Sequence, residues 1–147
     1  MRSMRLRLGD RDLARALFSL MADVFAEERE ALSDAYLDQL LSRASFLAIA
    51  AFDRDQLIGG VTAHILPMTR TETPEVFIYD IAVRKDHQRA GVGRQLMADL
   101  RSIAEASRIR DLFVFADDDE LHALDFYRAL GGTATPVTCF TFASRDR

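Results

Sequence analysis

Apolar positions along the chain change their spacing from segment to segment, and each change marks an element. Met4 to Leu8 alternates apolar residues with arginine and predicts a short first strand. Leu13, Leu17, Leu20, Met21 and Val24 fall on one helical stripe, with Asp10 placed as its N-cap. Ser33 precedes Tyr36, Leu37, Leu40 and Leu41 and predicts a second, shorter helix. Phe46–Phe52 is unbroken apolar sequence, short enough to be a buried strand. Asp53, Arg54 and Asp55 make a turn, and Leu57–Leu66 returns as its hairpin partner. After a loop from Pro67 to Pro74, the β-branched and aromatic stretch Val76–Val83 predicts a central strand. Leu96, Met97, Leu100, Ile103 and Ala104 return to helical spacing. Leu112–Phe115 is a further strand, Leu121–Leu130 a helix stopped by Gly131 and Gly132, and Val137–Phe142 a last strand. The predicted order, βααββ then βαβαβ, is an α/β fold of one domain over residues 1–147. Its central sheet is mixed, because of the hairpin, and helices flank it on both faces.

The junction between the central strand and the next helix carries the first sign of chemistry. Arg84–Ala90 leads into Gly91-Val92-Gly93, which opens the helix. A helix N-terminus presents unpaired N–H groups and a partial positive charge, and so takes a pyrophosphate. Glycine lets the backbone come close to the phosphates or adopt positive φ, and Arg89 or Arg94 can add a charged contact. The same glycines also fit a simple turn. The spacing is neither the dinucleotide fingerprint, since Leu96 stands at its third glycine, nor a Walker loop.

Composition narrows the classes. Nearly half of the residues are apolar, which is globular composition, and charges interrupt every apolar run before it reaches membrane-spanning length. No apolar leader is present at the N-terminus, so the expected compartment is the cytoplasm. The single cysteine, Cys139, excludes an internal disulfide and reads as a small buried hydrophobe on the last strand. The net charge is −4 with no basic tract, which argues against nucleic acid. That charge suits a cationic ligand, and it equally serves solubility. His64, His87 and His122 lack ligand spacing, so no metal is expected.

Gln88-Arg89-Ala90-Gly91-Val92-Gly93 resembles the acetyl-CoA signature of the GNAT N-acetyltransferases, and it follows a strand ending Ile81-Ala82-Val83. Ala123-Leu124-Asp125-Phe126-Tyr127-Arg128-Ala129-Leu130-Gly131 resembles the second landmark of that family. Many members carry Asn three residues before the Ala of this landmark, where this chain has Glu120. A narrower resemblance, to gentamicin-type aminoglycoside 3-N-acetyltransferases, rests on Phe46–Asp53, His64–Pro67, Ile78–Val83 and the acidic run Asp117–Asp119.

The resemblance implies a GNAT fold, acetyl-CoA as cofactor, and direct attack of an amine on the thioester. It assigns the pantetheine to backbone groups of Ile81, Ala82 and Val83. The pyrophosphate goes to Gln88, Arg89, Ala90, Gly91, Val92, Gly93 and Arg94. It implies a small polycationic acceptor of the aminoglycoside type, acetylated at the 3-amino group, and a homodimer as a form common in the family.

Asp80 lies mid-strand among apolar residues, where a carboxylate calls for a partner. It is the candidate base or ammonium anchor, and a structural ion pair with Arg84 is the other reading. In a regular strand Tyr79 faces away from Asp80, as a core aromatic or a site residue. Tyr127 matches a tyrosine that members place near the CoA sulfur, where a phenol can protonate the thiolate; packing is its alternative. Asp117, Asp118, Asp119 and Glu120 can cap the following helix or meet a polyamine. Glu27, Glu28 and Glu30 lie between the first two helices as acceptor-facing groups or a solvated run. Polyamines, amino-acid derivatives and protein N-termini are alternative acceptors, and an acyl-CoA-binding sensor is the alternative from another class.

Overall fold

A computed structural model describes residues 1–145. They fall into two compact units, Met1–Phe115 and a second that begins at Ala116.

The first unit holds strands β1 (Arg2–Arg5), β2 (Phe46–Asp53), β3 (Gln56–Leu66), β4 (Glu75–Val83) and β5 (Leu112–Val114). Its helices are α1 (Arg11–Phe25), α2 (Asp34–Leu41) and α3 (Val92–Ala106). The sheet order is β1-β2-β3-β4-β5, antiparallel throughout except for the parallel β4–β5 pair. The mixed sheet and α/β pattern are as predicted.

Side-chain alternation sorts the core onto two faces. Phe46, Ala48, Ala50 and Phe52 of β2 pack with Ala14, Leu17 and Met21 of α1 and Leu37 and Leu41 of α2. Leu47, Ile49 and Ala51 are as deeply buried on the other face, as are Leu96 and Leu100 of α3. Gly60 sets how near α1 can lie: a Cβ there would stand 2.5 Å from Leu17 Cδ1 and 2.6 Å from the Ile49 carbonyl oxygen.

Two local predictions change and a third holds. The first strand is Arg2–Arg5 rather than Met4–Leu8, because the chain turns at Gly9, where φ is +105°. Asp10 sits at the N-cap of α1 but makes no cap bond; its carboxylate accepts the Arg7 N–H at 2.7 Å, closing that turn. Ser33 does cap α2, accepting the Tyr36 N–H at 3.1 Å.

The second unit carries α4 (Leu121–Ala129), ended by Gly131 at φ +91°. Val137–Phe142 forms no strand, and Val137, Phe140 and Phe142 are exposed. Cys139 is exposed with them rather than buried. The β-branched and aromatic content there is real, but a strand needs a partner ladder as well as suitable residues.

Candidate active site

The register of β4 decides where its side chains point. Thr62 of β3 pairs with Asp80, and the next residue, Ala63, pairs with Ile78. Tyr79 is therefore the extra residue of a β-bulge. A bulge breaks alternation, and it does so between Tyr79 and Asp80. Ala82 belongs to the α1-side core, so Asp80, two residues earlier, faces the same way. Tyr79 meets His64 edge-on at 6.2 Å, and His64 meets Phe46, again of the α1-side core, at 5.3 Å. Tyr79 and Asp80 thus share one face, which corrects the expectation that they oppose.

Asp80 is part-buried, whereas Tyr79 is 63% exposed. Burial raises the Asp80 carboxyl above the usual carboxylate range, and the Glu27 carboxylate raises it further. Glu27 follows the end of α1, where left-handed Ala26 turns the chain and the Glu27 N–H bonds the Ala22 oxygen at 2.9 Å. The structural ion pair with Arg84 is not formed; Arg84 pairs with Asp86 at 3.4 Å. Glu28 and Glu30 are exposed on the following segment.

An aromatic row continues from this point along the same face. Phe77 contacts Tyr79 at 5.9 Å and stacks on Phe113 at 5.0 Å, and Phe115 contacts both phenylalanines. In the sequence His64 stands only as a histidine without metal-ligand spacing and within a segment of family resemblance, and Phe77 and Phe113 only as strand residues. The i, i+2 spacings Phe77–Tyr79 and Phe113–Phe115 were visible signals, but the cross-strand register that joins them was not.

On its far edge β4 is only partly covered. β5 pairs with Val76, Phe77 and Ile78 and goes no further. The Arg84 N–H bonds the Ile58 oxygen of β3 at 2.8 Å. By antiparallel alternation, Ala82 also turns its polar groups to β3, while those of Ile81 and Val83 point to the open edge. One of them is engaged: the Val83 oxygen accepts the Gln88 side-chain amide at 2.9 Å. The rest form an edge onto which an extended amide chain can add as a strand.

A single 3₁₀ turn, Lys85–His87, leads from β4 to the glycine loop. Arg89 has φ +62° and Gly91 φ +86°. Left-handed residues make anion-binding concavities of backbone N–H groups. At Arg89 the left-handed form is a strain of the kind that collects at ligand clamps. A Cβ on Gly91 would meet nothing within 4 Å, so this glycine answers to φ and not to packing within the chain. The first bond of α3 runs from the Gln95 N–H to the Gly91 oxygen at 3.0 Å, which leaves the preceding N–H groups at the helix mouth. Gln88, Arg89, Ala90, Gly91 and Arg94 are exposed, Gly93 is intermediate, and Val92 is buried as the anchor of the turn.

In the second unit, Asp117, Asp118, Asp119 and Glu120 are all exposed. Glu120 occupies the N-cap of α4 without a side-chain cap bond; backbone bonds from Glu120 to Asp117 and from Leu121 to Asp119 shape the turn. The capping account of this cluster is therefore not realised at Glu120. Tyr127 is part-buried on α4, its ring 5.3 Å from Phe126. Its carbonyl accepts the Gly132 N–H at 2.9 Å, an approach that a Cβ on Gly132 would obstruct.

Residues 14–131 match the acetyltransferase (GNAT) family, and the chain belongs to that family. It is similar to the aminoglycoside acetyltransferase HMB0005 from an uncultured soil metagenomic sample (TM-score 0.93, 27% identity, 97% of each chain covered). The aminoglycoside acetyltransferase meta-AAC0020, also from such a sample and solved with sisomicin, gives a TM-score of 0.90 at 27% identity, covering 97% of this chain and 95% of its own. AAC(6')-Iy, solved with the bisubstrate analogue CoA-S-monomethyl-acetylneamine, shares the fold at 17% identity, with a TM-score of 0.80 and 97% of each chain covered.

The protein is thus an acetyltransferase whose cofactor is acetyl-CoA. The open β4 edge fits an amide-bearing arm, and the left-handed loop at the mouth of α3 fits a pyrophosphate. No helix among the described residues is long and apolar enough to cross a membrane.

Proposed function

We propose that this acetyltransferase moves an acetyl group from acetyl-CoA to an amine of an aminoglycoside, at the 3-amino position, and so confers resistance to such antibiotics. The observation that carries the reading is the part-buried Asp80 carboxylate, which forms no ion pair among the described residues, on the same face as the exposed Tyr79 ring. Its carboxyl is raised by burial and then by the charge of Glu27. A part-buried carboxylate that feels a second negative charge favours a ligand bearing positive charge. The rings of Tyr79 and Phe77 on that face offer a sugar an apolar surface. Likeness to two soil aminoglycoside acetyltransferases adds support for the acceptor class.

Each residue then has a task. Asp80 receives the acceptor ammonium and, with its raised carboxyl, is a better base than an ordinary aspartate. Glu27 adds a second negative charge for a neighbouring ammonium. Ile81 and Val83 present backbone groups to the pantetheine, with Ala82 fixing the strand to β3. The N–H groups from Arg89 to Arg94 hold the pyrophosphate, and Gln88 braces the loop through Val83. Acetyl-CoA supplies the activated thioester. For the second unit we carry over the roles that the family resemblance implies, Tyr127 as proton donor to the departing thiolate and Asp117, Asp118, Asp119 and Glu120 as acids for a polyamine. Within the first unit Glu28 adds a further negative charge. The family match spans both units, which supports their acting as one domain. We place the activity in the cytoplasm, as a homodimer; the exposed Val137, Phe140 and Phe142 support association between copies.

Thiol release from acetyl-CoA, followed with gentamicin, with spermidine and without acceptor, tests the reading. Release with gentamicin, lost in Asp80→Asn, is the expected result, with NMR of the product locating the acetyl group. Release with spermidine alone overturns the antibiotic acceptor. Acetyl-CoA binding with no release on any amine overturns the catalytic reading in favour of a sensor.

A further inference from the structure

The glycine loop is tied to the β2–β3 hairpin by one side chain. His87 ends the 3₁₀ turn just before Gln88. Its Nδ1 lies 3.0 Å from Asp86 Oδ1, and its Nε2 lies 3.3 Å from Asp53 Oδ2, at the end of β2. The ring is well covered, its side chain only 20% exposed. A neutral imidazole has one N–H donor and one lone pair, so one of these two carboxylates would face a lone pair. Only the doubly protonated ring donates to both. The charged groups around it are these two aspartates and Arg84, whose Nε shares Asp86 Oδ1 at 3.4 Å. Both carboxylates raise the His87 pKa above the ordinary imidazole range, Asp86 more than Asp53.

We propose that His87 is a positioning residue for the cofactor: as an imidazolium it clamps the phosphate loop to the β2–β3 hairpin and holds the backbone of Gln88–Arg94 ready for acetyl-CoA. The clamp joins segments 34 positions apart in the chain, so it constrains the loop in a way that bonds within the loop cannot. Deprotonation removes one of the two donor contacts and releases one end. Cofactor affinity therefore falls as pH rises through the His87 titration, while the acetyl-transfer step is untouched by the clamp itself.

The test is calorimetric binding of CoA from pH 6 to pH 9 to wild type, His87→Ala, His87→Gln and His87→Arg. Circular dichroism checks that each variant is folded. His87→Ala and His87→Gln are expected to weaken CoA about tenfold at pH 6, about 1.4 kcal/mol, and to lose the pH dependence of wild type. His87→Arg keeps a permanent cation between the aspartates, so it restores tight binding and extends it to pH 9. Unchanged CoA affinity and pH dependence in His87→Ala would overturn the clamp, as would an NMR titration placing the wild-type ring at or below its ordinary pKa. The inference rests on reading this loop as the pyrophosphate site. Gly91→Val, measured in parallel, separates the two failures: if it too leaves CoA binding intact, the loop reading falls with the clamp, and if it abolishes binding, the clamp alone falls.

Discussion

Asp80 sits in opposition to the stability of its own fold. Its carboxyl titrates above the ordinary range because burial, and then Glu27, disfavour the charge. Below the ordinary carboxylate range the group is protonated in both folded and unfolded chains, and no cost arises. As pH rises through the raised folded value, the folded state is penalised relative to the unfolded one. Asp80→Asn should therefore raise the melting temperature at pH 7, with the gain shrinking to nothing in melts near pH 3. The same variant should lose about 10²- to 10⁴-fold in kcat/KM, the usual worth of a positioned base. Higher stability with lost activity distinguishes a functional carboxylate from a structural one, whose removal destabilises. Glu27→Gln removes only the smaller of the two causes. The acid limb of the pH–rate profile should move part of the way toward lower pH, as measured with acceptor below saturation. The sequence marked Asp80 as unusual because apolar residues surround it. It could not choose between an ion pair and an isolated carboxylate, since that depends on Arg84 turning toward Asp86.

Two glycines show how element geometry is held by different physical demands. At Gly60 the demand is space, because α1 lies against the strand there. Gly60→Ala should cost about 1–3 kcal/mol, the range for overpacking, and should lower the melting temperature. At Gly91 the demand is φ alone, with open space around the position. Gly91→Ala should cost about 1–2 kcal/mol for the left-handed backbone. Its larger effect should fall on KM for acetyl-CoA, because relaxing φ moves the N–H groups at the mouth of α3. Steady-state kinetics beside thermal melts separate the two variants: stability falls mainly in the first, and cofactor KM rises mainly in the second. The helices α1, α2 and α3 and the strands β2, β3 and β4 were legible from spacing, since each buries a stripe or a face in the core, whereas the bounds of the thinly buried β1 were not. The bulge at Tyr79 was not. Asp80 apart, Phe77–Val83 reads as a run of apolar residues with no sign of a slip, which shows only where Thr62 and Ala63 choose their partners. That slip brings Tyr79 and Asp80 to one face, so the site depended on a register that one strand alone does not encode.

At the scale of the whole molecule the last strand was misread for a related reason. Val137–Phe142 has the β-branched and aromatic content of a strand, yet its apolar residues are exposed. Pattern states a capacity to pair, and pairing depends on what else the fold presents. Net charge is a property of this scale that the sequence does state outright. With −4 overall, and with Asp80 and Glu27 proposed to meet the acceptor, a polycationic acceptor should be drawn in from a distance. Such steering acts over roughly a Debye length, about 30 Å at 0.01 M ionic strength and 8 Å at 0.15 M. The kcat/KM for gentamicin should therefore fall about tenfold as sodium chloride rises across that range, chiefly through KM. A monoamine acceptor, carrying one charge, should show a much shallower slope in the same assay. Equal slopes for the two would mean that the acidic residues serve solubility, and that acceptor choice rests on the short-range contacts of Asp80 and the aromatic row.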